Sequence, residues 1–431
     1  MRPIRCKRDS LAWIRGVLLF AFYFDCLFVL RLEPVTSLAT SDSSSTFTSE
    51  RAFQRVPVWF DSSNHVHRDL AYHPECPERI TTCVQALATK AKDCVQLTDI
   101  ANEEDGNRRD LLANDEDNDA LIVSSTPFTD DQLAYARSML LQTHSNDAMV
   151  TGLEKSCAKA RKERLESGRP GGTLGHMGYV DSGDTYVTTE SFGVVLRATA
   201  AWIQAVDVAL TGSPTLALTR PPGHHATRDT ANGFCLVNFA ATAALHAIQK
   251  YPERVQRVAI VDWDVHYGQG VADIVEQYPK QIRYVSIHQV PAFPYMGQSK
   301  QFNAQGNVWT LPMPPDTTWT CGYQDLWEQA LDFAIGSSKD DDWNPDLVIV
   351  CAGYDALSSD DLASCALTAS DFGKMTRALR QRLVQRVKQQ SSPKPLPALM
   401  LGLEGGYQLQ DAGASGNLAE AVVETVRALA E

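Results

Sequence analysis

Several short runs of the chain are almost wholly apolar, and longer stretches around them repeat their apolar residues every third or fourth position. The short runs are TLALT (215–219), RVAIVDWDV (257–265), IRYVSIH (282–288), DLVIVCAG (346–353) and ALMLGLEGG (398–406). Runs of this length, bounded by turn residues, predict strands buried on both faces. GVVLRATAAWIQAVDVAL (193–210), NFAATAALHAIQK (238–250), GYQDLWEQALDFAI (322–335) and DFGKMTRALRQRLVQRVKQQ (371–390) carry helical spacing and composition. Apolar strands alternating with helices predict an α/β fold: a single domain whose central, mostly parallel β-sheet is covered by helices on both faces.

In an open parallel sheet, ligands bind beyond the carboxyl ends of the strands. Polar residues of this chain collect at those ends. His224 and His225 follow the first run in RPPGHHA, and Ser286 and His288 close the third. Asp355 follows the fourth in AGYDA, and Glu404 and Tyr407 follow the fifth in EGGYQ. In VDWDVHYGQG, Asp262, Asp264 and His266 occupy alternate positions, which on an extended strand face one side.

Two readings of Asp264, His266 and Asp355 stand side by side. Buried carboxylates need partners, so the three could form a hydrogen-bonded cluster that stabilises strand ends. Alternatively, two carboxylates and an imidazole form a three-ligand metal site with a coordination position left open, as a catalytic zinc requires. His224 and His225 sit on a loop fixed by proline and glycine and suit proton transfer. Asp262 could accept a hydrogen bond from one of these imidazoles and fix its tautomer. Taken alone, Tyr407 reads as a ring beside a Gly-Gly turn. With the others, its hydroxyl could serve an oxygen on which negative charge develops. Metal, imidazole pair and phenol together describe amide hydrolysis.

Composition narrows the class. The 431 residues are 44% hydrophobic and 21% charged, as in a folded soluble protein. A net charge of -13 argues against direct nucleic-acid binding and suits a cationic partner. The 10 cysteines are scattered without a C-x-x-C pair, so they indicate neither a zinc ribbon nor a small disulfide framework and read as mostly buried free thiols. Arg2, Arg5, Lys7 and Arg8 precede an apolar stretch (16–30) broken by Asp25, and a Ser/Thr-rich stretch follows. This leader (1–49) resembles a secretory signal peptide that engages a membrane or the translocon, on the way to the secretory route or an organelle such as a plastid. A membrane anchor and a mispredicted start are the alternatives, with the nucleus or cytoplasm then open. The catalytic domain is expected over 50–431. The acidic stretch 99–119 is expected to be a solvated loop or insertion, and 388–395 a short connection before the last strand. Asp181 and Asp184 read as turn residues.

The motifs HPECPERI, RPPGHHA, NGFCLVN, VDWDVHYGQG, VSIHQ, FPYMG, CAGYDA and LGLEGGY run in the order of the histone deacetylase family of the arginase/deacetylase fold. The chain resembles its class II-like members from about Val56 onward. The resemblance implies that Asp264, His266 and Asp355 hold one catalytic Zn2+, that His224 and His225 transfer protons, and that Tyr407 hydrogen-bonds the substrate carbonyl. It further implies that Phe234 and Phe293 wall a channel for an acylated lysine stem, and that Asp262 and Ser286 lie around a structural K+. The expected activity is hydrolysis of acetyl (acyl) groups from acetyl-lysine in histones or other proteins. Deacetylation of an acetylpolyamine or other small amine, and a weakly active acyl-lysine-binding scaffold, are the alternatives. Where relatives commonly carry a second histidine and a carboxylate or Asn after the zinc histidine, this chain has Tyr267 and Gln269, so His225 is expected to be less basic. Leu357 stands where the arginases place an extra metal-binding Asp, which favours a single metal.

Overall fold

The computed structural model describes residues 55–68, 72–101, 123–144, 147–167, 184–337, 343–389 and 395–431, all within one unit, Ala52–Glu431. The leader, the acidic stretch from 102 onward, Asp181 and residues 390–394 lie outside the described residues.

The strands are β1 (Val56–Phe60), β2 (Val95–Asp99), β3 (Val123–Ser125), β4 (Thr215–Leu218), β5 (Val258–Asp262), β6 (Ile282–Gln289), β7 (Gln301–Phe302), β8 (Val308–Met313), β9 (Leu347–Ala352) and β10 (Ala398–Leu403). They form one sheet in the order β3-β2-β1-β4-β10-β9-β5-β6-β8-β7. Every pairing is parallel except that of β7 with β8. The helices are α1 (Glu78–Lys90), α2 (Asp130–Thr143), α3 (Asp147–Ser167), α4 (Ser191–Ala209), α5 (Phe239–Lys250), α6 (Gln269–Val275), α7 (Tyr323–Ile335), α8 (Ala369–Lys388) and α9 (Leu418–Ala430).

The period of two along each strand divides its side chains between two cores. In β9, Val348, Val350 and Ala352 join one core, with α1, α7, α8 and α9. Leu347, Ile349 and Cys351 join the other, with α2 to α6. β5 and β10 divide in the same way, Val261 and Leu401 to the first core, Ile260 and Met400 to the second. This explains why the central strands read as continuous apolar runs: neither face meets water. The α/β expectation therefore holds, with a mostly parallel sheet between two helical layers.

One expectation is corrected. The second predicted strand, 257–265, ends at Asp262, so Asp264 and His266 lie on the turn beyond it and not on a strand face. The carboxylates themselves end the strand. Asp262 Oδ1 accepts from Asp264 N at 3.1 Å, and Asp264 Oδ1 accepts from His266 N at 2.9 Å. Each aspartate thereby bonds the amide two residues on, which curls the chain out of the extended conformation.

The neighbouring strands β4, β10, β9, β5 and β6 all point their carboxyl ends the same way. The loops that leave β4, β5, β9 and β10 carry the candidate residues.

Candidate active site

The Arg220–His225 loop leaves β4 and is moored from beneath by the β10 loop. Glu404 Oε2 accepts from Gly223 N at 2.6 Å and His224 N at 3.0 Å. Gly223 allows close approach, since a Cβ there would sit 2.7 Å from Phe239 Cδ2. The loop sets the His224 and His225 rings 3.9 Å apart. His224 Nδ1 lies 3.1 Å from Asp262 Oδ2, which also accepts from the Tyr284 hydroxyl at 2.7 Å. His225 Nδ1 lies 2.6 Å from Gln269 Oε1.

Asp264, His266 and Asp355 are drawn together from the β5 and β9 loops. They are buried, and one ligand atom of each lies within 4.8 Å of the other two. His266 Nδ1 is 3.0 Å from Asp355 Oδ2 and 3.3 Å from Asp264 Oδ1. Main-chain amides aim both carboxylates: Val265 N donates to Asp355 Oδ1 at 3.0 Å, and Gly405 N donates to Asp264 Oδ2 at 2.8 Å. Two buried carboxylates offset by one imidazole leave a net negative cluster, which a divalent cation would neutralise.

The electrostatics separate the two adjacent histidines. Burial opposes charge on His224, but Asp264 and Asp262 outweigh it and lift the imidazole to about 10. A cation held by Asp264 would cancel much of that field. His225 is pushed well below the ordinary value of 6.5 by burial first, then by His224 and His266. The hydrogen bond to the neutral Gln269 oxygen acts in the opposite direction, raising the value, but burial outweighs it.

Around these groups lie the aromatic residues. Phe293 packs on His225 at 4.9 Å between ring centroids and faces His266 at 6.4 Å. Phe234 packs on Tyr407 at 5.6 Å and on His73 at 4.7 Å. Phe234 adopts φ 69°, an unfavourable left-handed backbone for a bulky residue, and Thr185 Oγ1 accepts from its N–H at 3.0 Å. Gly233 joins the two walls: a Cβ there would lie 2.7 Å from Phe293 Cε1. Both phenylalanines are half-buried.

Ser286 pairs with Asp262 across β5 and β6, and its hydroxyl lies 3.0 Å from His288 Nδ1. Tyr267 packs on His288 at 4.8 Å between centroids. Leu357 is fully buried in the apolar core. Asp184 has an exposed side chain, and its carbonyl oxygen lies 2.9 Å from His73 Nε2.

Glu75, Arg79 and Arg220 carry no role in the pattern of the sequence, although all three stand in quoted motifs, HPECPERI and RPPGHHA. Arg220 is buried and donates through Nε to Glu75 Oε1 at 2.6 Å and through Nη1 to His67 O at 2.6 Å. Arg79, also buried, donates to Gly406 O at 2.7 Å and to Glu404 O, and its guanidinium sits 4.6 Å from the centre of the Tyr407 ring. For Arg79 the only signal is its place in HPECPERI. Its partners, more than 320 positions away, were not visible along the chain.

Comparison with known proteins matches residues 73–425 to the histone deacetylase domain. An uncharacterised protein of Synechocystis is 39% identical over 247 residues, covering 57% of this chain and 72% of that protein. The chloroplastic histone deacetylase 10 of Oryza sativa is 31% identical over 292 residues, covering 65% of this chain and 58% of that protein. The human polyamine deacetylase HDAC10 is 34% identical over 252 residues, covering 57% of this chain and 34% of that protein. The match thus spans little more than half of the rice protein and about a third of the human one. In fold, the chain superposes on the crystal structure of the HDA15 HD domain with a TM-score of 0.62 at 22% identity, covering 87% of this chain and 90% of the other.

Proposed function

The chain belongs to the histone deacetylase family, and from that premise we propose that it is a zinc-dependent hydrolase that removes acetyl groups from the side-chain amine of acetyl-lysine in histones or other proteins. The observation that carries the reading is the convergence of Asp264, His266 and Asp355 beside the His224–His225 pair. Two carboxylates and one imidazole are a donor set that zinc accepts, and only three protein ligands leave it a free position. Bound there, zinc would polarise the amide carbonyl and lower the pKa of a water to about 7.

The remaining work falls to side chains. Phe234 and Phe293 would flank the apolar stem of the acylated lysine and exclude water from it. The Tyr407 hydroxyl would donate to the carbonyl oxygen as charge builds on it. His225, kept neutral, or His224 would accept the proton of the attacking water, and the pair would return a proton to the departing amine. Asp262 would hold the His224 ring through Nδ1. Asp262 and Ser286 also remain our proposed surroundings for a structural potassium ion. The products would be acetate and a free amine.

A second reading, deacetylation of an acetylpolyamine, draws on the likeness to HDAC10. Turnover of an acetyl-lysine peptide and of an acetylpolyamine by the zinc-loaded protein separates the two. The peptide is expected to be the better substrate by kcat/KM. His225→Ala is expected to lower kcat by about 10²–10⁴-fold while the protein keeps its metal. Zinc-loaded protein that hydrolyses neither substrate would leave only an acyl-lysine-binding scaffold.

A further inference from the structure

Tyr407 follows the glycines that leave β10, and its phenol can serve a substrate only if that turn holds one direction. Neither helix nor strand fixes it: Tyr407 and Gln408 belong to an irregular segment. One buried carboxylate holds it instead. Asp360 Oδ2 accepts from Tyr407 N at 2.6 Å and from Gln408 N at 3.1 Å. These two amides flank the Tyr407 Cα, so a single oxygen fixes the main chain on both sides of the atom that bears the phenol. Asp360 Oδ1 is itself braced, accepting from Leu362 N at 3.1 Å.

Asp360 is 4% exposed, and no cation pairs with it among the described residues, so main-chain amides alone solvate the carboxylate. Burial, and then the charge of Asp355, push it up to about 6. Such a group is costly to bury unless its hydrogen bonds are made. Arg79 grips the same turn from the other side, through Gly406 O and the face of the Tyr407 ring.

We propose that Asp360 is the positioning residue for Tyr407, touching no substrate and acting only by fixing the main chain from which the phenol reaches the site. This rests on the reading of Tyr407 as the donor to the substrate carbonyl.

The test is a double-mutant cycle on the zinc-loaded full chain, measuring kcat and KM with an acetyl-lysine peptide for wild type, Asp360→Asn, Tyr407→Phe and the double variant. Tyr407→Phe is expected to lower kcat by about 10²-fold, the loss of one oxyanion donor. Asp360→Asn is expected to lower kcat by about 10-fold with KM little changed, since a misplacement near 1 Å suffices for such a loss. In the Tyr407→Phe background the same change is expected to alter kcat by less than about 2-fold, because nothing remains to be positioned. An equal loss in both backgrounds would mean that Asp360 supports the fold generally, and the proposal would fall while the hydrolytic reading stood. No loss in Asp360→Asn alone would also overturn it. If Tyr407→Phe itself kept full turnover, the reading of Tyr407 would fail first and the proposal with it. Should Asp360→Asn not fold by circular dichroism, Asp360→Glu, which keeps the charge but displaces the turn by one methylene, enters the same cycle under the same criteria.

Discussion

At the scale of single residues, the site depends on what is missing as much as on what is present. A Cβ on Gly405 would collide with the carboxylates of both Asp355 and Asp264, and one on Gly353 would collide with Asp264. Glycine leaves the space in which the two acids approach each other. Gly405→Ala is therefore expected to bind far less than one zinc per chain by elemental analysis, with turnover lost in proportion, while the far-ultraviolet circular dichroism stays native. A variant that kept full metal would show that the carboxylates tolerate a shift. The residues proposed to bear the chemistry, Asp264, His266, Asp355, His224, His225 and Tyr407, stand out in the sequence because acids, imidazoles and a phenol follow apolar runs. Those that hold them do not. Glu404 was seen only as a polar strand end, and Asp360 and Arg79 act on main-chain atoms 47 to 327 positions away, a relation that no local pattern records.

At the scale of elements, His144 joins two helices. It closes α2, and its Nε2 accepts at 3.1 Å from the N–H of Asn238, the residue that caps α5. Its Nδ1 faces Thr227 O at 2.9 Å. The neutral ring thus serves as donor on one side and acceptor on the other, and a second proton would set an N–H against an N–H. Burial is the main cause that lowers its pKa to about 4. Because the folded value is depressed, the stabilisation is present above the unfolded value of 6.5 and is lost as pH falls toward 4. Between pH 7 and pH 5 this one group removes about 2 kcal/mol. Urea unfolding at the two pH values should show a smaller acid-side loss in His144→Gln than in wild type, and equal losses would refute the assignment. The element pattern itself was readable where strands are buried on both faces, as in β9 and β10. It failed where polar groups reshape the backbone, as at the end of β5, and it left out β1, β2, β3, β7 and β8, whose runs are interrupted by polar residues or proline, as in VQLTD and VWTLPM, or are only two or three residues long.

At the scale of the whole molecule, the leader and the folded unit pose separate questions. The basic, then apolar, then Ser/Thr-rich order of residues 1–49 is the ground for expecting a targeting role. A fluorescent reporter carrying residues 1–50 is expected in an organelle or along the secretory route. Diffuse cytosolic signal would sink that expectation. The strand order has another consequence. β10 lies between β4 and β9, in the middle of the sheet although it is last in sequence. Without β10 the sheet would fall into two parts, β4 and β9 each presenting an unpaired apolar edge. A chain truncated before Ala398 would leave both flanks open to strand pairing with other chains, so its aggregation is the expected cost of placing this strand at the centre.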